Sequence, residues 1–351
     1  MRIAFLAGAD SVPMYCWARE LQDRGHEVIF LSESRSPHPI GVPLELLQFR
    51  LKDNYIKFWI NRGLVERILH DFQADVAHAF YTTNYGVLAA RQRVCPAIIT
   101  IAGSDILVEP RRSRFFRWVN QYVLRKVRLI NPVSMHLDKI LKVEYNVQHK
   151  SEVFSVGVNG KIFFQSEDRP EKPLRVISTR NFKPIYNQQL LVAAIPKVLR
   201  EYSHIRFIIF GDGPERENFR EQLSSYSQVQ CFGRRPWEEL SEQLRNSHIY
   251  ISTSLSDGAS ASLLEAMACG AFPIVTDIPA NREWIEDGKN GFLVPVDNPE
   301  ILSQRILMAM HETNLRRNAE KLNQELIMER ANLQNIVSRL EELYQRILTS
   351  A

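Results

Sequence analysis

No stretch of this chain approaches the eighteen or so consecutive apolar residues of a membrane-spanning helix, so any contact with a bilayer is expected to be peripheral. The opening M-R-I-A-F-L-A-G is too short an apolar run for a secretory leader, and a cytoplasmic location is expected, on the inner membrane face if a membrane is touched. Cysteine is scarce. Cys16, Cys95, Cys231 and Cys269 are scattered without C-x-x-C or paired spacing, which argues against a disulfide framework and fits reduced thiols in a cytosolic protein. Charge of one sign is also lacking: 44 Lys and Arg face 40 Asp and Glu, a net charge of +4, which gives no argument for a polyanion such as nucleic acid as partner. No D-x-D pair, internal repeat or low-complexity tract is visible, and neither a metal ion nor another cofactor is expected.

What is present is an ordinary globular composition, 45% apolar, on a chain of 351 residues, long for one domain and suited to two. Both halves alternate short apolar strands with helices. In the first, strands are expected at 2–7, 27–32, 44–49, 75–80, 97–101, 127–131 and 151–156. The pattern restarts at 174–179, 205–210, 229–232, 248–253 and 272–276. Apolar strands joined by helical crossovers predict α/β architecture: doubly wound parallel sheets covered on both faces. The polar tract Q-S-E-D-R-P-E-K-P (165–173) reads as a linker, and helical periodicity runs from about Asn314 to Leu348. Ligands in such sheets bind beyond the carboxyl ends of the strands.

The most informative stretch is S-L-S-D-G-A-S-A-S-L-L-E-A-M-A-C-G (254–270). A strand should end in this Gly/Ser-rich loop and a helix begin at 260, its free N–H groups offering a phosphate site. Gly258, Ala259, Ser260 and Ser262 are small enough for a ligand to approach the backbone. Two carboxylates, Asp257 and Glu265, flank that site and suit hydroxyl groups on either side of a phosphate, as on a sugar and a ribose.

This block resembles the acid-x7-acid motif of the family-four retaining glycosyltransferases (group 1 glycosyl transferases), which have the GT-B fold. The likeness continues through A-C-G-A-F-P-I-V-T-D-I-P-A-N-R-E-W-I-E-D-G-K-N-G-F-L-V (268–294) and is dense from about 151 to 311. It implies two Rossmann-like domains facing across a cleft: residues 1–164 for the acceptor, 165–335 for the nucleotide-sugar donor, and a last helix, 336–351, crossing back to the first domain. It also implies that Asp257 contacts the donor sugar, Gly258 to Ser260 the diphosphate, and Glu265 the ribose. The family usually has Glu as the first acid, so Asp257 is one methylene shorter.

S-T-R-N-F-K-P-I-Y-N (178–187) resembles the family's G-R-x5-K, whose two cations grip the diphosphate. Arg180 matches the Arg and could bind phosphate oxygens in a fork, while Tyr186 stands in the Lys position; Lys183 is a substitute within the same loop. G-D-G-P-E-R-E-N-F (211–219) has Arg216 where a dinucleotide fingerprint needs its third Gly, which argues against a nicotinamide site. It resembles instead the family's G-x-G-P-E turn. F-G-R-R-P (232–236) makes Arg234 a candidate against the nucleotide base.

In the first half, Gly8 and Asp10 occupy the loop that in the family approaches diphosphate and acceptor. I-T-I-A-G-S-D-I-L (99–107) resembles T-x-H-G-x-D with Ala102 for the His; Asp105 could bind an acceptor hydroxyl or equally cap the segment that follows it. His78 matches the first of two family histidines, with Phe80 at the second. The basic, aromatic segment 109–128 can lie on an anionic membrane or be an amphipathic helix with a solvated face.

The resemblance therefore implies an enzyme, a retaining, metal-independent glycosyltransferase. It moves a sugar from a nucleotide-diphosphate donor, most often UDP-linked, to a hydroxyl of a sugar or lipid-linked sugar, as in cell-surface polysaccharide or glycolipid synthesis. Two alternatives share the donor site: a GT-B sugar-nucleotide epimerase or hydrolase, and a non-catalytic nucleotide-sugar-binding relative.

Overall fold

The strands V-A-H-A-F and A-I-I-T-I are buried at every position, without the polar alternation of a sheet that faces water on one side. Such strands need cover on both faces, and the fold supplies it twice. The computed structural model describes residues 1–9, 11–35, 41–49, 55–147, 150–166 and 169–349. These form two compact units, Met1–Gly157 together with Leu333–Ala351, and Val158–Asn332.

The first unit holds β1 (Arg2–Leu6), β2 (Glu27–Ser32), β3 (Leu44–Leu46), β4 (Val76–Phe80), β5 (Ala97–Ile101) and β6 (Leu129–Pro132). All pair in parallel in the order β3-β2-β1-β4-β5-β6, so the winding reverses between β1 and β4. The helix Leu333–Thr349 completes this unit. Leu333, Ile336, Val337, Leu340, Leu343, Tyr344 and Ile347 are buried, a stripe at helical spacing. Its Glu341 accepts from Arg24 Nη1 at 2.6 Å and pairs with His26 Nε2 at 2.8 Å.

The second unit holds β7 (Arg175–Ser178), β8 (Arg206–Phe210), β9 (Val229–Phe232), β10 (Ile249–Ser252), β11 (Phe272–Thr276) and β12 (Phe292–Val294), again parallel, ordered β12-β11-β10-β7-β8-β9. Alternate strand residues feed two cores. Val176, Phe207, Ile209, Ile251 and Ile274 pack with helices Gln188–Glu201 and Pro299–His311. Ile177, Ile208, Tyr250 and Val275 pack with Leu263, Leu264 and Met267 of helix Ala261–Ala268. The winding reverses between β7 and β10, which pair through Val176↔Ile249 and Tyr250↔Ile177. At such a reversal the loops beyond two neighbouring strands diverge to opposite faces and leave a crevice for ligand.

Several expectations change. The units divide at 157/158 rather than at 164/165, because Val158 N–H donates to Ala331 O at 2.7 Å and Phe163 is buried in the second unit. The polar tract after it is not a free linker at Arg169, which donates to Arg245 O, Gly270 O and Cys269 O and so caps the end of helix Ala261–Ala268. The long C-terminal periodicity is two helices, Thr313–Arg330 and Leu333–Thr349; the carbonyl of Ala331 between them turns to Val158. Of the strand expected at 151–156, only Ser151 bridges, to Ile130, and β3 stops at Leu46. The basic segment 109–128 is two helices, Glu109–Arg112 and Arg114–Lys126, the second capped by Ser113 Oγ, which accepts from Phe115 N–H at 3.2 Å. None of the four cysteines is in a disulfide.

Candidate functional site

The reversal of winding in the second unit decides what meets there. The loop after β7 carries Arg180, and the loop after β10 carries Asp257, Ser260 and Ser262. Arg180 is 9% exposed and uses its fork on that second loop. Nη2 donates to Asp257 Oδ2 at 2.6 Å, and Nη1 donates to Ser260 Oγ and Ser262 Oγ, both at 3.0 Å. Its guanidinium carbon lies 4.2 Å from the ring centre of Tyr186. Its Nε–H is buried and has no partner among the described residues. Burial alone would lower its pKa; Asp257, with Tyr250 and Tyr186, more than offsets this and holds it above the ordinary value. A charged donor group that is desolvated, oriented and incompletely paired is what an anionic ligand needs.

Ser260 is the N-cap of helix Ala261–Ala268 and accepts from Leu263 N–H at 3.3 Å, so one side chain ties the helix start to Arg180. Ser262 Oγ also accepts from Tyr250 Oη–H at 2.8 Å. Gly258 and Ala259 precede the cap in the same loop, Gly258 buried and Ala259 half-buried. One turn beyond Ser262 stands Glu265, half-buried, with no hydrogen bond to its carboxylate from a described residue. Burial pushes its pKa up to about 8, against the pull of the Arg180 charge. Half-buried and unpaired, this carboxylate is matched to a hydroxyl ligand.

The Arg180 loop is braced from behind. Phe182 N–H donates to Asp212 O at 3.0 Å, Asp212 N–H to Asn181 Oδ1 at 3.0 Å, and Gln188 Nε2–H to Arg180 O at 2.9 Å. The G-D-G turn makes that approach possible. Gly213 has φ +147°, and a Cβ there would lie 2.3 Å from Phe182 O. The loop of Tyr186 is fastened to the loop after β10 by Thr253 Oγ1–H, which donates to Tyr186 O at 2.9 Å, and by Leu255 N–H to Ile185 O at 2.9 Å.

Lys183 and Arg234, also expected at the site, are exposed, and their side chains bond no described residue. In the first unit, Gly8 accepts from Ser11 N–H at 2.9 Å at the end of β1, where Ser11 Oγ is buried without a partner among the described residues. Asp10 lies outside the described residues. Asp105 is 1% exposed and accepts from Thr82 N–H at 2.9 Å and Gly103 N–H at 3.2 Å, the geometry of a turn cap. Burial raises its pKa to about 6, against those hydrogen bonds. His78 has no exposed surface; Nδ1 pairs with Tyr344 Oη at 2.7 Å and Nε2 with Thr100 Oγ1 at 2.8 Å. Expected on the acceptor side, it is a fully paired core group, because its strand is covered on both faces.

Two family models match the chain, "Glycosyl transferases group 1" over residues 160–325 and "Glycosyl transferase 4-like" over residues 2–134. The chain is a glycosyltransferase, matched by one such model in each half. Its activity is sugar transfer from a nucleotide-sugar donor. This glycosyltransferase is 25% identical over 269 residues to an uncharacterized glycosyltransferase of Methanocaldococcus jannaschii, covering 75% of this chain and 73% of the other. It is 22% identical to the N-acetyl-alpha-D-glucosaminyl L-malate synthase of Bacillus anthracis, covering 94% and 92%. Among solved structures it superposes on a sucrose-phosphate synthase of Thermosynechococcus elongatus with TM-score 0.87 at 15% identity, covering 100% of both chains. It superposes on Anabaena HepE, in complex with UDP and glucose, with TM-score 0.82 at 17% identity, covering 99% and 100%. At these identities the structural likeness is one of GT-B fold.

Sequence reasoning missed two groups of this glycosyltransferase's site, the ring of Tyr186 as a support for Arg180 and the hydroxyl of Tyr250. The second had a signal: a Tyr inside an otherwise apolar strand needs a partner for its hydroxyl when buried.

Proposed function

We propose that this glycosyltransferase uses a UDP-linked sugar, transfers it with retention of anomeric configuration and without a metal ion, and delivers it to a hydroxyl of a sugar or a lipid-linked sugar. The observation that carries the reading is Arg180, a buried forked cation with a free Nε–H at the start of helix Ala261–Ala268. Placed against the donor diphosphate, it offsets the charge that grows on the leaving group, the task a metal ion performs elsewhere. Asp257 orients the guanidinium through one oxygen and offers its other oxygen to a sugar hydroxyl. Glu265 accepts from the ribose hydroxyls, and Ser260 and Ser262 line the phosphate end. The acceptor hydroxyl attacks the anomeric carbon on the face from which the phosphate departs, the bond to the phosphate oxygen breaks, and the departing phosphate takes the hydroxyl proton. Positioning and charge stabilisation then supply most of the rate. UDP as the nucleotude-carrying half is supported by Anabaena HepE, solved with UDP-glucose, and by a pneumococcal O-GlcNAc transferase solved with UDP and GlcNAc.

The test is nucleotide release from UDP-, GDP-, ADP- and dTDP-sugars, with and without EDTA, followed by assignment of the product anomer by NMR. UDP release insensitive to EDTA and a product of retained configuration are expected. An inverted product, or activity lost to EDTA and restored by a divalent ion, overturns the mechanism. Ala102 and Tyr186, where the family has His and Lys, favour a second reading, a non-catalytic nucleotide-sugar binder. Tight nucleotide binding without turnover over many acceptors would select it.

A further inference from the structure

The helix Arg114–Lys126 contains no acidic residue, and its Arg114, Arg117, Arg125 and Lys126 are all exposed. None forms an ion pair with a described carboxylate, whereas exposed arginines elsewhere do, as in Arg19–Asp23, Arg220–Glu217 and Arg282–Asp277. The helix buries Val119, Asn120, Val123 and Leu124. At 100° per residue, the opposite side carries Arg114, Phe115, Trp118, Tyr122 and Arg125 together. Phe115 is 46% and Trp118 52% exposed, high for rings of this size.

A second short helix, Ile56–Ile60, extends the same face, which the sequence alone did not reveal. Trp59 stacks on Trp118 with ring centres 5.3 Å apart and meets Tyr122 at 5.2 Å; Tyr55 meets Phe116 edge-on at 5.1 Å. The guanidinium of Arg91 lies 5.2 Å from the Trp59 ring centre. Ile60 is 53% exposed beside them. The result is a continuous apolar and aromatic patch rimmed by cations that lack partners on the described surface.

We propose that this face docks on a bilayer containing anionic lipid. The charge pattern selects that occupant. Every charged side chain of helix Arg114–Lys126 is positive and without an ion-pair partner among the described residues, so the surface opposite it must be anionic throughout, as an anionic bilayer is, and Trp and Tyr with Arg and Lys among them suit headgroup depth. No helix among the described residues is long and apolar enough to cross a membrane, so contact of this kind is peripheral. The proposal is independent of the donor-site chemistry, since vesicle binding needs no nucleotide.

The experiment is co-sedimentation of the full chain with phosphatidylcholine vesicles with and without phosphatidylglycerol, at low and high salt. The wild type should bind the anionic vesicles, weakly or not at all the neutral ones, and less as salt rises. Arg114→Glu with Arg117→Glu should weaken binding by about tenfold or more, since each cation near an anionic surface is worth about a factor of five. Phe115→Ser should weaken it without changing its salt dependence. All three side chains are solvent-exposed, and an unchanged thermal midpoint confirms folding. Absence of binding to anionic vesicles, or binding indifferent to the charge reversal, overturns the proposal. So does a concentration-dependent dimer that protects helix Arg114–Lys126 from hydrogen exchange, which would make the face a protein interface.

Discussion

The guanidinium carbon of Arg180 lies 4.2 Å from the centre of the Tyr186 ring, in the place where the family motif puts a second cation. A lysine there would add charge at the diphosphate. The tyrosine instead holds Arg180 through its ring face, a contact worth about 0.5–2 kcal/mol when desolvated. Arg180 is thus braced on three sides, by Asp257, by the two serines and by the ring.

Replacing that group should be costly. Arg180→Ala is expected to lower kcat/KM tenfold or more, since a charge-assisted hydrogen bond is worth about 1.5–3 kcal/mol. Arg180→Lys should recover little, because an ammonium cannot reproduce the fork. Tyr186→Phe should be near neutral and Tyr186→Ala intermediate. Steady-state kinetics on a released nucleotide checks the series, and an unchanged Arg180→Ala rate would remove Arg180 from the mechanism.

Glu265 gives the site a pH signature. With its pKa raised to about 8, the free protein holds it largely protonated at neutral pH. Hydroxyls that donate to the carboxylate favour the charged form, so binding should release a proton at pH 7, and nucleotide affinity should climb as pH rises from about 6 to 8. Calorimetry in two buffers of different ionisation enthalpy measures that proton. Glu265→Gln should bind more weakly and release none; equal release from both proteins would assign the proton elsewhere.

The brace behind Arg180 can be tested without touching it. Gly213→Ala drives a Cβ to within 2.3 Å of a backbone oxygen at a φ of +147°, which no rotamer relieves. We expect lower thermal stability and weaker nucleotide binding together. Gly25→Ala, also at positive φ but with open space around it, should cost stability alone. Equal nucleotide affinity in both variants would show that the 211–213 turn does not position Arg180.

His78 sets an acid limit for the first unit. Burial lowers its pKa to about 3, so between that value and 6.5 the unfolded chain carries a proton that the folded one excludes, and stability rises with pH across that window. Acid should therefore destabilise wild type more steeply than His78→Gln. Tyr344→Phe leaves a buried ring nitrogen unpaired and should cost about 1–3 kcal/mol, several degrees of thermal midpoint. Differential scanning calorimetry from pH 4 to 7 reads both effects.

Much of the cluster around Arg180 was legible in the chain. Asp257, Ser260, Ser262 and Glu265 stand within nine positions of one another, so a strand, a small-residue loop and a helix suffice to place them. Arg180 was identified by its position after a strand and by likeness to a known motif. Its partnership with Asp257 depends on β7 pairing with β10, a neighbour relationship between strands seventy residues apart that no local pattern encodes. The same holds for Tyr250 under Ser262 and for Trp59 against Trp118. The division at 157/158 was hidden by composition: residues 158–164 look like the end of the first half, and a charged tract after them looks like solvent-exposed chain. Arg169 in that tract is a helix cap, and charge alone does not distinguish the two uses.

The hydrogen bond from Tyr344 to His78 has a consequence for how the protein is made. The first unit emerges from the ribosome early but lacks the helix that fills its core until Leu333–Thr349 has been translated. The whole of residues 158–332 can collapse around its own sheet before then. Folding of the amino-terminal sheet is therefore expected to depend on a segment more than three hundred residues further along, its apolar flank uncovered until helix Leu333–Thr349 packs on it.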